Sequence, residues 1–375
     1  MKSSFLIGVI PGDGIGPEVM EAGLAVLAAL AKSTPELAFE WRHLPGGAQH
    51  YLDTGTAFAD TSMRALEDCD AILFGAIGLP HVRYPDGTEI ASQLDIRDCF
   101  ELFAGVRPVR AMPNTPTVLA DPRAKELDFV ILREQTEGFF YSRGKPQIDA
   151  DGANDHSRIT RRGCERLFDY AFRLARERKA RGLPGKVTCV DKSNVLTSMA
   201  YMRGIFDERA KLNADLGADR CYVDAMALNL VRKPWDYDVI VAENLCGDIL
   251  SDLAGGLVGG MGLAPSGDIG ERHAMFQPAH GSAPDIAGRG IANPTAMLLS
   301  CAMMLDWLGA QHAHAAATDA GRRLDAAVLR VYSERRVKPC EFGGTDGTAA
   351  IAAAVLDLLT AKSSGPRRGA VHPAH

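Results

Sequence analysis

Short apolar runs alternate with longer amphipathic stretches along this chain. Phe5–Ile10, Ala71–Phe74, Phe129–Leu132, Val187–Val190 and Asp238–Val241 are compact, rich in apolar residues, and predict short buried strands. Cys164, Leu167, Phe168, Ala171, Leu174 and Ala175 recur at the spacing of an amphipathic helix whose stripe faces a core. Strands separated by helices predict an α/β fold. The end of the chain, Ser363 to His375, is polar and rich in Pro and Gly, which predicts a frayed tail over about 364–375 and argues against His372 and His375 as ligands. No internal repeat interrupts the pattern.

One apolar run leads into chemistry. Val239–Ala242 is followed by Asn244-Leu-Cys-Gly-Asp248-Ile-Leu-Ser-Asp252, then by Gly255-Gly256 and Gly259-Gly260. This predicts a strand delivering a helix, and the spacing of Asp248 and Asp252 puts both carboxylates on one helix face, where like charges repel. Taken alone, the pair is either solvated acid in a first turn, favoured by the helix dipole, or a face turned to a cation.

The chain has 375 residues, of which 46% are hydrophobic and 23% charged, enough for a large core and two domains. A net charge of -6 argues against a nucleic-acid partner, and Arg161-Arg162, Arg322-Arg323 and Arg335-Arg336 read as solvated pairs. The longest apolar stretches, such as Ala296 to Leu305, fall short of the roughly 20 residues of a membrane span. The amino terminus resembles a first strand and lacks the apolar core of a signal peptide, so a soluble cytoplasmic protein with no membrane partner is expected. Eight scattered cysteines form no CxxC pair and read as buried reduced thiols.

Pro11-Gly12-Asp13-Gly14-Ile15-Gly16-Pro17-Glu18 has the spacing GxGxG. A Rossmann fingerprint needs GxGxxG, so the stretch indicates only a tight turn opening a helix, with Pro17 at a first helical position. No Lys-Ser pair follows, which argues against a P-loop kinase. Arg97 and Arg107 lie within Leu94-Asp-Ile-Arg97 to Arg107-Pro108, and Arg133 begins Arg133-Glu-Gln-Thr-Glu137-Gly138 after a strand. Arginine at a strand end suits bidentate carboxylate binding, although each alone is more often a surface or structural ion pair. In Asp191-Lys192-Ser-Asn194 the lysine follows a buried strand and is either a desolvated base or a surface residue.

In this order the motifs resemble the β-decarboxylating dehydrogenases, the group of 3-isopropylmalate, isocitrate, homoisocitrate and tartrate or D-malate dehydrogenases. The resemblance runs from Ile10 to about Gly347 and also includes Val223-Asp224-Ala-Met226 and His280-Gly-Ser-Ala-Pro-Asp285 through Asn293-Pro294. It implies a two-domain α/β fold that is not Rossmann, with a larger cofactor-binding domain over 1–102 and 259–375 and a smaller domain over 103–258 that carries the dimer interface. It also implies a homodimer in which Lys192 and Asp224 reach the partner's active site.

By the same resemblance, Asp248, Asp252 and the partner's Asp224 hold Mg²⁺ or Mn²⁺, hard cations suited to oxygen ligands. Lys192 takes the hydroxyl proton while hydride leaves for NAD, and Arg97, Arg107 and Arg133 orient the carboxylates of a hydroxy-acid substrate before CO₂ departs. Asn194, His280, Gly281, Ala283, Asp285 and Asn293 match cofactor positions. Asp285 would accept ribose hydroxyls and repel a 2′-phosphate, which favours NAD over NADP.

Two positions depart from the pattern. The family's usual tyrosine acid falls at Phe140, with Tyr141 beside it; in a strand these point to opposite faces, so Tyr141 takes over only through a bulge, and water or another group remain alternatives. Gln93 stands where isopropylmalate enzymes place leucine, while Ile90 and Leu94 keep nearby surface apolar. The resulting order is isopropylmalate or a related alkylmalate, then D-malate or tartrate, then isocitrate or homoisocitrate, with a catalytically altered binding relative as the other class.

Overall fold

The computed structural model describes residues 2, 4–145 and 147–360; the tail expected over about 364–375, with His372 and His375, lies outside the described residues. Its strands are β1 (Phe5–Gly12), β2 (Phe39–His43), β3 (Ala71–Ala76), β4 (Ala104–Arg110), β5 (Asp128–Glu134), β6 (Gln147–Ile148), β7 (Ala153–Asn154), β8 (Lys186–Asp191), β9 (Gly217–Tyr222), β10 (Val239–Ala242), β11 (Pro265–Ile269) and β12 (Ala274–Pro278). Its helices are α1 (Gly16–Ser33), α2 (Ala48–Thr54), α3 (Asp60–Glu67), α4 (Ser92–Cys99), α5 (Arg161–Ala180), α6 (Thr197–Leu212), α7 (Val223–Arg232), α8 (Asn244–Leu257), α9 (Thr295–Gln311), α10 (Ala315–Ser333) and α11 (Thr348–Thr360).

Ten strands form one sheet in the order β2-β1-β3-β12-β11-β4-β5-β10-β8-β9, and β6 pairs with β7 in a separate hairpin. The β12–β11, β11–β4 and β4–β5 pairings are antiparallel and the other sheet pairings are parallel. Three reversals in succession make β5, β10, β8 and β9 run opposite to β2, β1, β3 and β12. The carboxyl ends of β5, β10, β8 and β9 therefore share one edge: Arg133 is the penultimate residue of β5, Lys192 directly follows β8, and Asp248 and Asp224 lie near the starts of the helices that follow β10 and β9. This mixed order distinguishes the α/β fold from a Rossmann sheet.

All five expected strands form, each extended or shifted by a residue or more. β3 and β10 are buried at every position, as expected of strands covered on both faces. Helix α9 packs its buried Met297, Leu298, Cys301, Met304 and Leu305 between the sheet and helices α1 and α10, and fully burying a leucine or methionine is worth about 1.5–3 kcal/mol. The edge strand β9 is mostly exposed and carries Asp219 and Arg220, so its composition gave no strand signal. Among the described residues, no helix is long and apolar enough to cross a membrane.

Candidate active site

Register brings the basic side chains together. On β4, Gly105 pairs with Arg133 of β5 on one side and with Asp268 of β11 on the other. Directly paired residues, and those two apart on a strand, project from the same face, so Asp268, Arg107 and Arg133 share one face of the sheet. Arg97 reaches the same place from the last turn of α4. Glycine at 105 leaves room for Gln135: a Cβ there would stand 2.3 Å from its Nε2, which crosses this gap to Asp268.

Arg97, Arg107 and Arg133 are all buried. Arg97 Nε donates to Asp268 at 2.9 Å, and Arg107 Nη2 lies 3.6 Å from the same carboxylate. Burial pushes Asp268 up, but the charges of Arg97 and Arg107 outweigh it and hold the carboxyl below its ordinary value. Burial, together with repulsion from Arg97, brings Arg133 down to about 10, and burial also lowers Arg107. Arg107 Nε is buried without a partner. Three guanidinium groups thus exceed the one buried acid facing them, a surplus of positive charge that suits the binding of carboxylates.

Helix α8 supplies the opposing acids. Its N-terminus is capped by Glu243, whose side chain accepts from the Cys246 amide at 3.2 Å and from the Phe139 amide at 2.8 Å. Asn244 accepts from Arg133 Nε and Nη2 at 2.9 and 2.8 Å, and Asp248 accepts from Arg133 Nη1. Gly247 permits this approach, since a Cβ there would lie 2.8 Å from Arg133 Cβ. One turn on, desolvation and the adjacent Asp248 charge raise the Asp252 carboxyl. Two carboxylates one helical turn apart, close enough for the charge of Asp248 to raise Asp252, fit a hard divalent cation, which would relieve the repulsion.

Among the described residues, no three His, Cys, Asp or Glu side chains are placed to hold a metal together, so Asp224 does not join Asp248 and Asp252 within one chain. Asp224 sits exposed in the first turn of α7, and its carboxylate pairs with Lys192 Nζ at 2.5 Å. Hydrogen bonding to Lys192 lowers the Asp224 carboxyl. The buried charge at the end of β8 is Asp191, not Lys192: Asp191 accepts from Arg203 at 2.6 and 2.9 Å and from the Ser193 amide at 2.8 Å, fixing the turn that presents the partly exposed lysine. Asn194 lies exposed beyond it.

The segment after Gly138 is a 3-10 turn, Phe139–Ser142, where the sequence suggested a strand. Successive side chains diverge around it, and the Arg133 guanidinium lies 5.1 Å from the Phe140 ring centroid. The Tyr141 hydroxyl instead accepts from Arg158 Nη1 at 3.1 Å, and Lys145 Nζ stands 3.4 Å above its ring. That hydrogen bond and the two cations lower the Tyr141 hydroxyl. The structure does not bring Tyr141 to the arginines.

Gln93 lies on α4 one turn before Arg97, and its side-chain oxygen is buried without a partner. Ile90 is withdrawn into a cluster with Ala48, Leu79 and Val82, so only Leu94 of the expected apolar pair keeps part of its surface. In the loop after β12, Gly281 and Asp285 are exposed, and Ala283 adopts a positive φ of 37°. His280 Nε2 is buried and unpartnered, and burial lowers the ring's pKa. An open loop face beside an unused imidazole nitrogen fits a polar cofactor edge. Asn293 is engaged within the protein: its oxygen accepts from the Thr295 amide and hydroxyl at 3.1 and 2.7 Å, and its nitrogen donates to Glu341 at 3.0 Å.

The profile of the isocitrate/isopropylmalate dehydrogenase family matches residues 6–355. The chain belongs to the isocitrate/isopropylmalate dehydrogenase family. It is 44% identical over 307 residues to the 3-isopropylmalate/3-methylmalate dehydrogenase of Methanocaldococcus jannaschii, covering 81% of this chain and 86% of that one. It is 38% identical to a probable tartrate dehydrogenase/decarboxylase of Agrobacterium vitis, covering 95% and 98% of the two chains. The crystal structure of isocitrate dehydrogenase from Methylococcus capsulatus superposes with a TM-score of 0.83 at 34% identity, over 95% of this chain and 99% of that one.

As a member of this family, the protein is a decarboxylating dehydrogenase. Two buried acids escaped the sequence reading. Asp268 follows Pro-Ser-Gly and resembles a turn residue until β11 pairs with β4. Asp13 lies in the glycine turn and accepts from the Ala48, Gln49 and Gly78 amides at 2.7, 2.9 and 2.9 Å. The Ser282 hydroxyl donates to the Gly78 carbonyl, so the turn and the loop after β12 brace one another. Buried acid in a glycine-rich turn was the available signal for Asp13.

Proposed function

We propose that this family member oxidatively decarboxylates a 2-hydroxy acid bearing a 3-carboxylate, 3-isopropylmalate or a related alkylmalate, with NAD and Mg²⁺ or Mn²⁺. The observation that carries this reading is the convergence of Arg97, Arg107 and Arg133 beside Asp248. The arginines bind two carboxylates, and the fixed guanidinium planes hold the bond that breaks in one orientation. Asp248 and Asp252, with Asp224 of a second copy, would hold the cation. Bound there, a divalent cation supplies Lewis acidity at the hydroxyl oxygen, and NAD supplies the hydride acceptor.

Before substrate enters, the Asp224 carboxylate orients the Lys192 ammonium; once that ammonium has released a proton to solvent, the neutral Lys192 amine takes the hydroxyl proton. Phe140, beside Arg133, offers no proton, so water or another group protonates the product carbon. Asp285 accepts the ribose hydroxyls, which supports NAD. A homodimer is favoured by the exposed apolar side chains Tyr201, Tyr222, Leu228, Val231 and Ile249 around α6, α7 and α8, close to Lys192 and Asp224. Nothing in the charge or helices favours a nucleic-acid or membrane partner, and a cytoplasmic enzyme is the corresponding reading.

A second reading, D-malate or tartrate, rests on the unpartnered Gln93 oxygen, which would accept from a polar C3 substituent. Isocitrate and homoisocitrate follow it. Reduction of NAD and of NADP, with Mn²⁺ or Mg²⁺ and with each of these acids in turn, tests the reading. An alkylmalate with NAD should give the highest kcat/KM; equal use of NADP, or no turnover of any of the acids, contradicts it.

A further inference from the structure

Asp268 is the one fully buried acid among the three arginines, and the substrate does not need it for any chemical step. It is completely shielded from solvent. Its oxygens accept from Arg97 Nε at 2.9 Å, Gln135 Nε2 at 2.9 Å and Gln277 Nε2 at 3.1 Å, with Arg107 Nη2 at 3.6 Å. The charges of Arg97 and Arg107 keep it ionised, and the two neutral amides satisfy its oxygens without adding charge to the pocket. One of the three guanidinium charges is therefore cancelled inside the protein. Asp248, which accepts from Arg133, and Asp252 add two negative charges that a divalent cation would offset, so the remaining excess matches two carboxylates, and a third carboxylate would meet the field of Asp268 with no guanidinium to answer it.

We propose that Asp268, by holding Arg97 and Arg107, sets the charge that the pocket accepts and selects dicarboxylate over tricarboxylate hydroxy acids. The proposal rests on the decarboxylating reading of the same pocket and adds the substrate's charge class to it. Asp268 is a positioning residue: it acts through the two arginines.

Calorimetric binding of two unreactive anions, succinate and tricarballylate, with Mg²⁺ present, tests it on the full-length protein. The wild type should bind tricarballylate no more tightly than succinate. Asp268→Asn should raise the ratio of tricarballylate to succinate affinity about tenfold, and Asp268→Glu should leave the ratio near that of the wild type. A wild type that prefers tricarballylate overturns the proposal even if the Asn variant does not fold. So does an Asp268→Asn protein that weakens both anions equally, which is the signature of a structural role alone. Because neither anion is oxidised, absence of turnover with every hydroxy acid would count against the proposed function and leave this test standing.

Discussion

Arg133 grips the Asn244 side-chain oxygen through two nitrogens, Nε and Nη2, at 2.9 and 2.8 Å. The contact ties the end of β5 to the first residue of α8, so the arginine that would bind substrate also fixes the helix that carries Asp248 and Asp252. Lysine cannot reproduce this fork. Arg133→Lys should lower kcat/KM about a hundredfold, through KM and kcat together. Asn244→Ala should cause part of the same loss by leaving a buried guanidinium short of an acceptor, at roughly 1–3 kcal/mol. Steady-state kinetics on both variants checks this, and an Arg133→Lys enzyme with unchanged KM would contradict it.

The diverging side chains of the Phe139–Ser142 turn yield a second expectation. Tyr141→Phe should leave turnover within about twofold of the wild type, since the lost hydroxyl belongs to a surface contact with Arg158. Phe140→Tyr puts a hydroxyl beside Arg133 and should speed release of the decarboxylated product from the corresponding 3-carboxy-2-keto acid. Single-turnover measurement of product formation separates the two; a large loss in Tyr141→Phe would return Tyr141 to the mechanism.

If Lys192 and Asp248 act in one site but come from different subunits, two inactive variants should rescue one another. Lys192→Ala and Asp248→Asn, mixed after dissociation and reassociated, give mixed dimers with one intact site of two. Statistical assembly predicts recovery of about a quarter of wild-type activity. Mixtures that stay inactive would place both residues in the same chain's site.

Much of this site is visible in the sequence because its charged groups cluster at strand ends, where a short apolar run stops and a polar motif begins. Arg133, Lys192 and the Asp248–Asp252 pair all follow that rule. Asp268 does not, because its role depends on β11 and β4 pairing across the far parts of the chain, with Gly105 opening the path for Gln135. Strands β11 and β12 contain Pro, Gly and polar residues and show no alternation, so their pairing comes from tertiary contact and not from local propensity. The Tyr141 question turned on one backbone conformation: a strand would have opposed Phe140 and Tyr141 across a sheet, whereas the 3-10 turn sends them to different neighbours.

Glu134, next to Arg133 in sequence, gives a pH prediction. Burial pushes its carboxyl up from 4.5 to about 7, against hydrogen bonds from Thr136 and Glu137 that favour the charged form. The folded protein therefore holds a proton that the unfolded chain releases. Stability from this group is complete below pH 4.5 and is lost as the pH rises through about 7, a change of about 3 kcal/mol. Glu134→Gln should flatten the dependence of Tm on pH across that window by calorimetry, and an unchanged slope would assign the proton elsewhere.

The central claim is that one pocket couples oxidation to loss of the carboxylate that its arginines orient. The most direct measurement follows NADH and CO₂ together from 3-isopropylmalate with Mn²⁺, before and after chelation by EDTA. Equal yields of the two products are expected, both abolished by EDTA and restored by added Mn²⁺. NADH formed without CO₂, or formed equally well after chelation, would contradict it.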